Sequence, residues 1–200
     1  WHDGSAITAE EIKWNIELAL KVPNIMPIFK TTFSYLEGAE AFMNGSASSV
    51  SGIAISGNKI TLSFAQVDPN VLLTFTQWAP LPRKYLEDVD PAKFQQHPFW
   101  QNPVGSGPYK VQEVKMNDYL IMVPFENFHE GVARIDEIVA YPSKDNDANL
   151  VTNASAGSLD YGFTKNVADV KALEEMDHMR VIPADIPYTR MVWFNKYAKN

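Results

Sequence analysis

The four histidines, His2, His97, His129 and His178, are the side chains best suited to metal ligation or proton transfer near neutral pH. No two of them fall at the three- or four-residue spacing that sets a pair of imidazoles on one helix face. The chain has no cysteine, which excludes thiolate metal sites, disulfides and a cysteine nucleophile within it. It also lacks a Gly-x-Ser-x-Gly elbow, so a serine hydrolase is without its minimum parts. Carboxylates are plentiful, with 24 Asp and Glu, yet no spacing brings two together as a general acid and base. These residues predict no catalytic centre, no metal and no cofactor. A hydrolase assembled from Asp and His of distant segments stays as the alternative from a different class.

Two further places invite a chemical reading. Asp3 beside His2 could serve a metal or catalytic role, but an Asp next to Gly4 is more often a turn former. Gly105-Ser106-Gly107 could cradle a phosphate, but it lacks the third glycine of a dinucleotide fingerprint and the Gly-Lys-Ser/Thr of a P-loop. A strand follows it where an anion site needs a helix N-terminus.

What the chain does offer is aromatic surface, from five Trp, eight Tyr and eleven Phe. Most of these belong to a core. Three places suit a ligand cleft better. Trp78 ends a helix against Ala79-Pro80. Tyr161, Phe163 and Thr164 end a predicted strand, and open α/β sheets bind ligands beyond the carboxyl ends of their strands. Tyr188 and Arg190 follow Pro187 and lead into the last predicted strand.

The elements that must position these residues are readable in order. Thr8 and Glu11 form a capping box, with Ile7 and Ile12 as a hydrophobic staple. The helix they start carries Ile12, Ile16 and Leu20 on one face and stops before Pro23. Between Ile25 and Met43, Pro27 and Gly38 interrupt a helical pattern, predicting one short helix and a loop. Ile53-Ala54-Ile55 and Ile60 to Phe64 alternate around Ser56-Gly57-Asn58-Lys59 as a hairpin, with Ile60, Leu62 and Phe64 on one side. Asp68-Pro69 predicts the cap and first residue of a helix that runs through Val71, Leu72, Phe75 and Trp78. Arg83 to Asp88 predicts a further turn or two, and Asp90 to Asn102 a packed surface loop.

Pro103 to Pro108, with two glycines between prolines that fix φ, predicts a shaped joint between two structural units. After it come a second hairpin, Tyr109 to Val114 and Tyr119 to Val123, and a strand from Ile135 to Tyr141. A helix is expected from Asp145 to Ala156, capped by Asp145 or Asn146, with Gly157 past its end. A strand at 159–163, a helix at 167–176 with Val167, Val170, Leu173 and Met176 inward, and strands at 180–182 and 191–194 follow. That order is the one expected of an α/β lobe. The chain therefore divides near Gly107 into a mixed α+β part, 1–107, and an α/β part, 108–200.

The 200 residues can bury a sizeable core, and 46% hydrophobic with 20% charged residues is globular composition. With 17 basic against 24 acidic side chains the formal charge is −7, and no Lys/Arg run exceeds two residues, so nucleic acid is not the expected partner. No apolar run approaches the roughly 18 residues a spanning helix needs, and there is no signal peptide. Both ends, at Trp1 and after Phe194-Asn195-Lys196-Tyr197, read as cuts through structured sequence.

Trp1-His2-Asp3-Gly4 with Ile7-Thr8-Ala9-Glu10-Glu11 resembles the "WHDG, then T-A-E-D-V" signature of family 5 extracellular solute-binding proteins, the peptide and nickel receptors of ABC importers. Pro103 to Tyr109 resembles that family's "P-x-G-T-G-P-Y", with Ser106 in place of Thr. Asn127-Phe128 and Ile135-Asp136-Glu137-Ile138 sit where the family has "N-x-x-Y-W" and "x-D-x-I". Phe128-His129-Glu130-Gly131 replaces the usual Trp-Gly-Gly, and nothing is carried over there.

The resemblance implies an internal piece of a type II periplasmic-binding-protein-like receptor. Residues 1–107 would form most of its middle subdomain and 108–200 the later part of its first lobe, ending at the hinge. Tyr188, Arg190 and Asn195 would flank that hinge and face the cleft. It further implies a monomer outside the cytoplasm, in the periplasm or on the cell surface, with a lipid anchor possible in a missing N-terminus. The protein would capture oligopeptides or dipeptides for a membrane ABC permease. Oligosaccharides or nickel complexes are the alternative ligands within this class, and an interaction or sensor module without transport is the alternative outside it.

Overall fold

The computed structural model describes residues 1–142 and 149–185. It divides into two compact units, Trp1–Pro142 and Ser143–Asn200. The joint at 103–108 is hydrogen-bonded back onto the first residues of the chain.

In the first unit, α1 (Ala9–Lys21) begins as predicted: the Thr8 hydroxyl accepts from the Glu11 backbone N–H at 3.2 Å, and the Glu11 carboxylate accepts from the Thr8 N–H at 3.1 Å. Ile7 stays exposed, so it closes no staple. The helix buries Ile16, Ala19 and Leu20 and gives way at Val22, which Pro23 holds in extended backbone.

From 27 to 43 there are two helices and not one, α2 (Pro27–Ser34) and α3 (Ala39–Met43). Pro27 initiates α2 as its first residue, where its missing N–H costs nothing. Gly38 turns the chain between the helices at φ 76°. The hairpin forms as β1 (Ile53–Ser56) and β2 (Lys59–Leu62), with Ser56 paired to Lys59 across the Gly57-Asn58 turn. Its backbone docks on the segment between α2 and α3: Glu37 N–H donates to Ser63 O at 3.0 Å and Gly52 N–H to Glu37 O at 2.7 Å. Gly52 is required there, since a Cβ would stand 2.6 Å from Ser63 O and 2.7 Å from Glu37 N.

α4 (Val71–Gln77) starts two residues later than predicted, with Asn70 at its cap. Asp68 is occupied otherwise, accepting from Asn70 N–H at 2.8 Å and from the Thr32 hydroxyl at 2.5 Å. Thr32 also bonds Thr74 at 2.8 Å, and both are buried. Thr74 thus sets the buried direction, and Leu72, about 200° of helix rotation away, is 77% exposed.

The core of this unit joins Ile16 and Leu20 of α1, Phe29 and Phe33 of α2, Leu36, Ala39, Phe42, Val50 and Ile53. Ile60, Leu62 and Phe64 pack against it as the alternation predicts. Residues 83–101 form three short 3-10 turns around the buried Leu86 and Phe99.

Beyond the joint, β3 (Tyr109–Lys115), β4 (Tyr119–Pro124) and β5 (Ile138–Ala140) make an antiparallel sheet in that order. Asn117 turns the hairpin at φ 64°. β5 is shorter than predicted, and Ile135 is exposed.

In the second unit, α5 (Leu150–Ser155) ends at Ala156 before Gly157 at φ 67°, as expected, and α6 (Val167–Glu174) packs on it through Leu173 against Leu150 and Ala154. Val167, expected inward, is 69% exposed. The predicted strands at 159–163 and 180–182 are irregular, because no described neighbour offers them a ladder. Residues 145–148 and the strand predicted at 191–194 lie outside the described residues.

Candidate functional site

The first three side chains each tie a different element. Trp1 is buried, and its indole N–H reaches both carboxylate oxygens of Glu11 at 3.2 Å. Glu11 also takes the backbone N–H of Arg83 at 3.3 Å, so one carboxylate closes the α1 cap and pins the chain after α4. His2 reaches the joint: its backbone N–H donates to Gly105 O at 2.8 Å, its Nδ1 accepts from Gly105 N–H at 3.3 Å, and its Nε2 donates to Gly107 O at 2.9 Å. Asp3 takes the Ser5 N–H (2.9 Å) and hydroxyl (2.5 Å), the Tyr85 hydroxyl (2.9 Å) and the Lys84 ammonium (3.1 Å).

This settles Asp3 as a turn-forming acceptor and not an acid or base. The Ser5 hydroxyl above all, then the Ser5 N–H, the Tyr85 hydroxyl and Lys84, hold its carboxyl well below the usual carboxylate range, against a small opposing effect of burial. Asp3 in turn raises the Lys84 ammonium. A carboxyl depressed in the folded state stabilises above the ordinary Asp value of 3.8. That contribution is lost as pH falls through the folded value. Asp3→Asn should therefore lower Tm at pH 7, and the gap from wild type should close as pH drops from about 5 to about 2. Thermal scans by circular dichroism read it, and a gap constant with pH would contradict the assignment.

His2, Asp3 and Ser106 meet Phe125, Phe128 and His129 around an open cleft of about 620 Å³. The His2 ring lies 4.8 Å from that of Phe125, and the rings of Phe128 and His129 are 4.4 Å apart. Segments from 1–5, 106 and 125–129 thus converge although about a hundred residues separate them. Among the described residues no three His, Asp or Glu side chains gather where they could hold a metal ion. Both His2 nitrogens are engaged and Asp3 is ionised under four donors, so these two side chains offer the cleft hydrogen bonding and, through the His2 ring, aromatic contact.

Of the predicted ligand residues, Trp78 belongs to the first unit and Tyr161, Phe163 and Thr164 to the second. Trp78 is half-buried and stands edge-on to Phe33 at 5.4 Å and to Phe75 at 5.8 Å, packed against the core of the first unit. Tyr161 is 85% exposed and Phe163 53% exposed, with the Lys165 ammonium 6.0 Å from the Phe163 ring. They precede α6 instead of ending a strand. Thr164 is engaged in shaping the start of α6, donating to Asp169 at 2.9 Å and accepting from Asn166 N–H at 3.0 Å. Tyr188, Arg190 and Asn195 lie outside the described residues.

Sequence reasoning passed over Asn15. Buried in α1, it donates to Glu11 O (2.9 Å) and Leu81 O (2.8 Å) and accepts from Leu81 N–H (2.7 Å). The available signal was a polar side chain next to Ile16 on the apolar face.

Comparison with known proteins gives the following likenesses. The family model described as bacterial extracellular solute-binding proteins, family 5 middle, matches residues 1–199. A Brucella ovis protein named as an ABC transporter peptide-binding protein is 22% identical over 199 residues, covering 98% of this chain and 34% of its own length. The nickel-binding protein NikA of Staphylococcus aureus is 21% identical over 199 residues, covering 100% of this chain and 35% of its own length. The chain spans about a third of the length of the curated relatives it matches. Among solved structures, lactococcal OppA complexed with an endogenous peptide in the closed conformation superposes with a TM-score of 0.67 at 19% identity, covering 88% of this chain and 34% of OppA. That likeness shows the fold, the mixed helix-and-sheet architecture of part of a type II periplasmic binding protein.

Proposed function

Because the chain belongs to the family 5 bacterial extracellular solute-binding proteins, we propose that it is part of a receptor that captures oligopeptides or dipeptides between two lobes and delivers them to a membrane ABC permease. The work is binding without bond-making. Closure of the lobes is driven by the ligand's greater affinity for the closed state. Residues 1–107 serve as most of the middle subdomain and 108–200 as the later part of the first lobe.

The observation that carries this reading is the exposure of Tyr161 and Phe163 ahead of α6. Large aromatic side chains left open in a receptor of this family are suited to cover by a ligand, which gains apolar contact at low entropic cost. Thr164 contributes through its placement of this segment. The peptide reading is supported by the peptide-binding name of the Brucella ovis relative and by the endogenous peptide in the OppA complex. Nickel complexes are the second reading, favoured by the likeness to the staphylococcal nickel-binding protein.

Family members are periplasmic or extracellular, and among the described residues no helix is long and apolar enough to cross a membrane. We place the whole protein outside the cytoplasm, as a monomer, with a lipid anchor as one means of attachment and no nucleic-acid partner.

The test is calorimetric titration of the whole reading frame with a mixed peptide library. Replacing Tyr161 and Phe163 together by Ser should weaken binding about 10- to 100-fold, with the fold unchanged by circular dichroism. Unaltered affinity would remove these residues from the site, and binding of nickel complexes alone would favour the second reading.

A further inference from the structure

The joint at 103–108 is shaped by a side chain about a hundred residues upstream. Gly105 and Gly107 flank Ser106, and His2 binds both: two hydrogen bonds to the backbone of Gly105 and one to the carbonyl of Gly107. Gly107 O is only an acceptor, so Nε2 must carry the proton. Gly105 N–H is only a donor, so Nδ1 must keep its lone pair. One neutral tautomer satisfies both. A Cβ on Gly105 would lie 3.2 Å from His2 Cε1, so the close approach of ring and backbone depends on glycine at that point.

The far side of the ring meets Phe125, whose backbone N–H donates to Pro108 O at 2.8 Å as β4 ends. His2 therefore touches the chain both where it enters β3 and where it leaves β4. Asn or Gln carries a donor and an acceptor on one carbon and cannot reach across Ser106 to both glycines. A lysine offers no acceptor.

We propose that His2 is a positioning residue, a clasp in its Nε2–H tautomer that holds the joint in one geometry and thereby fixes the β3–β4–β5 sheet on the helical part of the first unit. The inference does not depend on what the receptor binds, and its readout needs no ligand.

The experiment is nuclear magnetic resonance of the whole protein labelled with 15N in histidine and glycine, at neutral pH, paired with amide exchange by mass spectrometry. Long-range proton–nitrogen correlation should show His2 with its proton on Nε2 and a bare Nδ1, and the Gly105 amide should be protected. His2→Ala should speed exchange at Gly105 and at the start of β3 about tenfold or more, with α1 unchanged. An Nδ1–H tautomer would overturn the proposal. So would equal Gly105 exchange in both proteins, or exchange raised equally in α1, which would mark a general loss of stability. Should the alanine variant fail to fold, the tautomer of the wild-type ring decides alone.

Discussion

Replacing Phe33 by Ala is expected to destabilise the first unit by about 4 kcal/mol, the largest loss for any single side chain in it. Phe33 is fully buried in α2, within a cluster that joins α1, α3 and the β1–β2 hairpin. Its ring packs against Trp78 at 5.4 Å, edge-on, and against Phe75 at 6.0 Å. The loss therefore combines transfer of the ring to water, the cavity left behind, and the aromatic pairs.

The surrounding walls cannot fall inward to fill that cavity. The hairpin backbone is bonded to Glu37, and at Gly52 there is no room for even a Cβ beside the backbone of Ser63 and Glu37. α4 is held from the other side by the buried Thr32–Thr74 bond and by Asp68. Urea unfolding followed by tryptophan fluorescence, to which Trp14 and Trp78 of this unit contribute, should show the midpoint lowered by about 2 M at an unchanged slope of about 2 kcal/mol/M. A loss under about 1 kcal/mol would mean that the unit is held together elsewhere.

Local chemistry was legible in the sequence where it acts over short distances. The α1 cap needs only Thr8 and Glu11, its end only Pro23, and the hairpin only a period of two around Gly57-Asn58. The order of motifs from Trp1 to Ile138 also carried the family. Legibility failed where a distant partner decides. Pro27 could break a helix or begin one, and the packing of α2 chose the second. Asp68 would be a good cap, but Thr32 recruits it, and the buried face of α4 turns with Thr74. Residues 159–163 have strand composition but no ladder, and strand preference is largely a property of neighbours.

The candidate site divides in the same way. Tyr161 and Phe163 are exposed, whereas Trp78 packs edge-on to Phe33 and Phe75, partners that its local sequence does not announce. Nothing local to His2 announces its glycine partners, because they lie at positions 105 and 107. Only the recurrence of both motifs in one family connects them in advance.

The second large effect concerns affinity. On the proposed reading a cleft between two lobes divides its contacts between them, so a chain that supplies part of one lobe would make only a fraction of the bonds and would not close on its ligand. Affinity lost by about 100-fold corresponds to about 2.7 kcal/mol, less than the contribution of two well-seated hot-spot residues. The direct measurement is isothermal titration of a mixed peptide library into the whole protein and, in parallel, into these 200 residues alone. The whole protein should bind peptide, and the isolated chain should bind it at least about 100-fold more weakly. Submicromolar binding by the isolated chain would contradict the account.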